Sequence, residues 1–168
     1  MKKILFILSI ACFSCQKDHL LYDYSGKVMV EKNAIPWEAK IRLIESSTNP
    51  GTYYIGIDAY DEQGFLSEHL YFNNFYLIEN EYPLIAQSNS QVDSAIVSDY
   101  STEISGDVLG STYRLITSYD NHLTIESIKN KCVSGKFQCA FEIESLGKPG
   151  DPDTVYFNNG VFEAKILK

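Results

Sequence analysis

From residue 26 onward the chain alternates apolar and polar side chains with a period of two, and a strand is the only regular element that this period suits. In Ile35-Pro36-Trp37-Glu38-Ala39-Lys40-Ile41-Arg42-Leu43 every odd position is apolar, while Glu38, Lys40 and Arg42 face the other way. The pattern reads as one half-buried strand, with Trp37 on the core face. Phe137, Cys139, Phe141 and Ile143 alternate as cleanly with Lys136, Gln138, Ala140 and Glu142. Tyr53, Ile55, Ile57 and Ala59 make a third apolar row, and Phe162, Ala164 and Ile166 a fourth. No segment of this region sustains a 3.6-residue period.

Turn chemistry separates the rows. Asn33-Ala34 turns Val28–Lys32 into the Ile35 strand, and Asp61-Glu62-Gln63-Gly64 divides 52–60 from 65–72. Asp120-Asn121 is placed to join 111–119 to 122–128 as a hairpin, because Asp and Asn tolerate positive φ. Asn130-Lys131 marks the next reversal and Gly150-Asp151-Pro152-Asp153 the last. Residues 73–82 and 88–94, rich in Asn, Ser and Glu, read as long loops. About ten strands with short connections predict an all-β domain, an antiparallel β-sandwich, with an up-and-down, lipocalin-like β-barrel as the alternative.

The N-terminus carries a different signal. Lys2 and Lys3 precede an apolar run, Ile4–Phe13, too short for the roughly 20 residues that span a bilayer but suited to a secretory signal. Ser14-Cys15 follows directly and resembles the lipobox of bacterial lipoproteins, which implies a diacylglycerol on the Cys15 thiol. Cys12 is a rival acceptor, but it leaves a signal core of only eight residues, Ile4 to Ala11. The expected organisation is a signal peptide over 1–14, a lipidated tether over 15–25 and one β-rich domain over 26–168. Several acyl chains on one cysteine suffice to hold such a domain at a membrane.

Without residues 1–14 the chain loses two lysines and no acids, leaving 12 Lys+Arg against 22 Asp+Glu. The resulting balance, 12 minus 22 or −10, excludes nucleic acid as a partner, since phosphate neutralisation needs cations. Between Arg42 and Arg114 there is no Lys or Arg, yet eleven acids occur, which reads as a solvated acidic face. Asp58-x-x-Asp61-Glu62-x-Gly64 is the densest group, but it lacks the ligand order of a calcium loop. His69, His122, Cys132 and Cys139 match no zinc spacing, and the two histidines read as outward-facing strand or turn residues. Neither a metal nor another cofactor is expected. No Gly-x-Ser-x-Gly elbow or nucleophile–base pair is visible, so no catalytic residue is assigned.

The signal and its continuation, Ser14-Cys15-Gln16-Lys17-Asp18, resemble the start of lipoproteins from Bacteroidota. The Gln-Lys-Asp run is similar to their export signal for the outer face of the outer membrane. The domain resembles a lipoprotein family of unknown function from that phylum at three places. These are Val28-Met29-Val30 with Ile35-Pro36-Trp37-Glu38-Ala39, Leu123-Thr124-Ile125 with Val133-Ser134-Gly135-Lys136-Phe137, and Asn159-Gly160-Val161-Phe162. The resemblance implies a lipid-tethered β-domain at the outer membrane, facing the cell surface or else the periplasm, and carries no activity.

The remaining candidates are aromatic and thiol groups. Tyr54, Tyr60 and Tyr71 fall opposite the apolar rows of their strands, where a ring can stack on a sugar or anchor a protein partner. The expected function is therefore non-catalytic: binding a glycan or protein partner, or scaffolding an envelope assembly. A hydrolase acting on envelope or extracellular glycans, and a carrier of a small apolar ligand, are the alternatives. A Cys132–Cys139 disulfide is disfavoured. In one extended strand seven residues separate the two by about 24 Å, whereas a disulfide needs Cα atoms within about 7 Å. Two free thiols are expected, Cys139 buried and Cys132 accessible.

Overall fold

The computed structural model describes residues 23–86, 96–104, 106 and 108–167. Every regular element among them is a strand: β1 (Gly26–Lys32), β2 (Ile35–Pro36), β3 (Lys40–Glu45), β4 (Thr52–Tyr60), β5 (Leu66–Tyr76), β6 (Asn80–Ile85), β7 (Ile96–Ile104), β8 (Val108–Leu115), β9 (His122–Lys129), β10 (Cys132–Ser145) and β11 (Thr154–Leu167). Their pairings form a ring in the order β3-β4-β5-β7-β6-β9-β10-β11, which returns to β3 through a parallel pairing of Ile166 and Leu167 with Leu43 and Ile44. The domain is a closed eight-stranded barrel with three further strands, and not the expected sandwich; the barrel alternative fits. Alternating side chains serve both architectures equally, and closure of the last strand on the third decides between them. The barrel also departs from a strict up-and-down order, since β6 and β7 run parallel.

The three extra strands lie along the ring. β1 pairs with β11 across Gly26↔Ala164 to Lys32↔Phe157 and carries the short β2 on its far side. β8 bridges β7 and β10, so β7 forks between β6 at one end and β8 at the other. The fold reaches back into the expected tether: Ser25 N–H donates to the Ile41 carbonyl at 3.0 Å and Ser25 C=O accepts from Lys165 at 2.9 Å. Residues 1–22, with Cys12 and Cys15, lie outside the described residues, as does the expected loop at 88–94.

Inside the barrel the inward rows of all the long strands meet. Ile41, Leu43, Ile55, Ile57, Leu70 and Phe72 are fully buried. Across from them Phe72 and Phe137 have ring centroids 5.2 Å apart, Tyr100 and Phe157 5.2 Å, and Tyr100 and Tyr113 4.9 Å. Each such side chain contributes about 1.5–3 kcal/mol on burial, so the filled interior is the main source of stability. At the edge of this core Glu68 accepts from Lys32 Nζ at 2.5 Å and from the Tyr100 hydroxyl at 2.8 Å. Tightness is set at Gly135, where an added Cβ would lie 2.1 Å from the Thr124 carbonyl oxygen of β9.

Several expected elements hold and several do not. Asn33-Ala34 and Asn130-Lys131 turn with positive φ at both residues, 52° and 64° and then 51° and 64°, as two-residue hairpins require. The run 35–43 is not one strand. Ile35 and Pro36 pair back onto β1, residues 37–39 are irregular and β3 begins at Lys40, leaving Ile35 68% exposed. Trp37 packs on Phe157 at 5.0 Å, against the core. The expected loop 73–82 is mostly strand, because β5 continues to Tyr76 and β6 begins at Asn80. Asp120-Asn121 makes no hairpin: β8 and β9 do not pair with each other, and both pair with β10. The Asn121 side chain instead donates to the carbonyls of Ile116 and Tyr119 and accepts from Ala140 N–H, spanning the gap.

Candidate functional site

On the outer wall of β3, β4, β5 and β7 the register lines up two polar rows. One runs Arg42, Gly56, Tyr71, Asp99, and the next Lys40, Asp58, His69, Ser101. Tyr54, two residues from Gly56 on the same face, leans across that glycine. A Cβ at Gly56 would sit 2.7 Å from both the Tyr54 hydroxyl and Arg42 Nε. The missing side chain lets the Tyr54 hydroxyl reach His69 Nε2 at 2.9 Å and Arg42 Nη2 at 3.3 Å. His69 Nδ1 in turn bonds Asp58 Oδ1, so the imidazole is held through both nitrogens.

Asp58 anchors the wall. It is 0% exposed, and its Oδ2 accepts from the Tyr24 hydroxyl at 2.9 Å and lies 3.5 Å from Arg42 Nε. The expectation of a solvated acidic face therefore fails here, because the carboxylate is buried under groups that donate to it. Tyr24 and Tyr60 are hydrogen-bonded hydroxyl to hydroxyl, and Lys40 Nζ lies over both rings, 5.3 Å and 4.9 Å from their centroids. Burial and the bonds to Tyr60 and Asp58 raise the Tyr24 phenol far above its usual range. Burial opposes charge on Arg42, but Tyr54 and Asp58 outweigh it and hold the guanidinium above its ordinary value.

The three tyrosines singled out by strand parity, Tyr54, Tyr60 and Tyr71, thus share this one wall, each partly exposed. Tyr54 and Tyr71 lie 5.9 Å apart between ring centroids, and His69 lies 5.3 Å from Tyr71. Tyr71 donates to Asp99 Oδ2 at 2.9 Å, and both burial and that carboxylate raise its phenol. Asp99 forms the border of a cleft of about 330 Å³ where β7 forks, lined also by Ser98, Tyr113, Arg114 and Glu144. Burial pushes the Asp99 carboxyl up, against the donated bonds from Tyr71 and Tyr100 N–H, and Glu144 adds to the rise.

A second cleft, about 510 Å³, runs along β1 between Met29 and Trp37, away from the tyrosines. Cys132 and Cys139 are both free and belong to neither cleft. They sit in the one extended strand β10, where Cys139 is buried and Cys132 Sγ donates to Glu163 Oε1 at 3.3 Å. His122 lies 3.6 Å from Asp120, on a different part of the barrel. Among the described residues no three His, Cys, Asp or Glu side chains converge on a metal position. No family model, curated protein or solved structure matches the chain.

Strand parity alone missed Arg42, Asp58, His69 and Asp99 as parts of the wall. The signal for the first three was present. Lys40, Arg42, Tyr54, Gly56, Asp58, Tyr60, His69 and Tyr71 all have the parity opposite to the buried rows, and a lone glycine among large polar residues marks where one of them leans over. Tyr24 had no such signal, because it precedes the first strand.

Proposed function

We propose that this chain is a non-catalytic, lipid-anchored module of the bacterial envelope that binds a glycan on the outer wall of its barrel. The carrying observation is the gathering of Tyr54, Tyr60 and Tyr71 on one wall, interleaved with Lys40, Arg42 and His69. A mosaic of ring faces and fixed polar groups suits a sugar, whose C–H faces stack on rings while its hydroxyls bond the polar edges. A protein interface would favour a more apolar centre. The aromatic packing inside the barrel favours the outer surface over the interior as the place for a ligand.

The test is direct binding of envelope and extracellular polysaccharides to the protein. Tyr60→Ala should weaken binding about tenfold, as expected for loss of an aromatic anchor, while Tyr60→Phe keeps the stacking face. Shortened saccharides appearing during incubation would identify a hydrolase instead. Unchanged affinity in Tyr60→Ala and Tyr71→Ala together would remove the wall from the function. Cys15 as the lipid attachment, and display at the outer-membrane surface, rest on the N-terminal resemblance. Cys15→Ser should abolish acyl labelling, and external protease should reach the domain on intact cells. Retained labelling would move the anchor to Cys12, and protection until the outer membrane is opened would place the domain in the periplasm.

A further inference from the structure

The wall ends in a cleft whose chemistry differs from the wall's own. On one edge β7 pairs with β6 through Ile96 and Val97, and with β8 from Tyr100 onward. Ser98 and Asp99 fall at the fork and face neither strand on that edge. Residues of both parities line the opening: Asp99, Arg114 and Glu144 from the outer face, Ser98 and Tyr113 from the inner one. The cleft opens between the two faces of the wall, and an inner-face residue, Ser98, is part of its lining.

Ser98 is 2% exposed, and its hydroxyl has no hydrogen-bond partner among the described residues. Buried hydroxyls are normally bonded, so an unpaired one lining a cleft points to a group that enters it. The charges there are uneven. Arg114 is the one basic residue among the described residues of the lining, and its Nε already donates to Glu142 Oε1 at 2.8 Å. Asp99 accepts from two neutral donors among the described residues, Tyr71 OH and Tyr100 N–H at 2.9 and 2.8 Å, and Glu144 adds a second negative charge to the same space.

We infer that this cleft seats a primary ammonium group carried by an amino sugar of the bound glycan, an inference that rests on the glycan reading above. A primary ammonium has one positive charge and three N–H donors, and the cleft presents three acceptors in Asp99, Glu144 and Ser98 Oγ. The space agrees: about 330 Å³ is at the lower end of the roughly 300–1,000 Å³ of small-ligand sites, enough for about one sugar ring. Tyr71 joins wall to cleft through its bond to Asp99, so a sugar stacked on the tyrosines has its neighbour at the opening. N-acetylation removes the charge and two of the donors, and turns the same sugar into a poor ligand. Burial that raises the Asp99 carboxyl is offset when a cation enters beside it.

The experiment compares three oligosaccharides of equal length by calorimetry: glucosamine-based, N-acetylglucosamine-based and glucose-based. The glucosamine oligomer should bind about tenfold tighter than the other two, and the preference should disappear in Glu144→Gln and shrink in Ser98→Ala. Methylammonium chloride, titrated against sodium chloride and followed by amide chemical shifts, reads the cleft without any glycan. Shifts confined to residues around Ser98, Asp99 and Glu144 support the seat. Equal affinity for all three oligomers, still lost in Tyr60→Ala, overturns the ammonium seat and leaves the glycan wall standing. Methylammonium shifts with no binding of any oligosaccharide keep the seat and overturn the glycan reading. No specific methylammonium shifts, and no preference among oligomers, refute the inference.

Discussion

Asp58 is the group on which the outer wall depends most, and Asp58→Ala should be the most damaging single change there. Its carboxylate is 0% exposed and accepts from Tyr24 and His69, with Arg42 Nε at 3.5 Å. The Arg42 side chain is itself only 11% exposed, so removing the carboxylate takes a negative charge from beside a buried positive one. Breaking a buried pair from one side costs about 3–5 kcal/mol. Asp58→Asn keeps the shape but turns an amide NH₂ toward groups that already donate, and should cost about 1–3 kcal/mol. With a urea m-value near 2 kcal/mol per molar, a loss of about 4 kcal/mol lowers the unfolding midpoint by about 2 M. Pairing Asp58→Asn with Arg42→Met should recover part of the loss, because the two charges leave together. The assay is urea unfolding followed by near-ultraviolet circular dichroism, which also reports the tyrosine wall. A cost below about 1 kcal/mol for Asp58→Ala would show that water replaces the carboxylate, and the wall would then be an ordinary surface.

Three further outcomes are expected. With Cys12 and Cys15 replaced by serine, a thiol reagent should modify Cys132 quickly and Cys139 only after denaturation. Cys139→Ser should cost about 1–3 kcal/mol and Cys132→Ser less than about 0.5; two fast thiols would contradict the burial of β10's inner face. Gly135→Ala should cost about 3 kcal/mol, because the added carbon meets the backbone of β9 rather than a movable side chain. A neutral result in urea unfolding would mean that β9 and β10 are not held so closely. Burial and nearby carboxylates push the Tyr113 phenol up to about 12, so the folded state binds its proton more tightly than the unfolded chain does. The stability this supplies is complete below about pH 10 and is lost as pH rises through about 12. Melting temperatures across that window should fall, and less steeply in Tyr113→Phe; identical slopes would contradict the shift.

Much of the barrel was legible from local chemistry. Period-two alternation sorted Ile41, Leu43, Ile55, Ile57, Phe137, Cys139, Phe141, Phe162 and Ala164 onto the inner face, and all are buried. It also put Tyr54, Tyr60 and Tyr71 on the outer one. Asn33-Ala34 and Asn130-Lys131 carry their turns in their own conformational preferences. These are properties of a few neighbouring residues, and any fold that uses the segments must respect them.

What tertiary structure alone decided is who pairs with whom. Alternation says which way a side chain points and nothing about which strand lies beside it, so sandwich and barrel looked alike until Ile166 and Leu167 met Leu43 and Ile44. Asp120-Asn121 has hairpin chemistry, yet β8 and β9 both chose β10, and Asn121 was left to bridge the gap with its side chain. The site follows the same rule. Tyr54, Asp58 and His69 were each on the right face by parity, but their hydrogen bonds exist because one register sets Asp58 opposite His69 and Gly56 opposite Tyr71. Residues on separate strands converge only when the register is set, and register here is fixed by packing of the whole ring rather than by any one strand's composition.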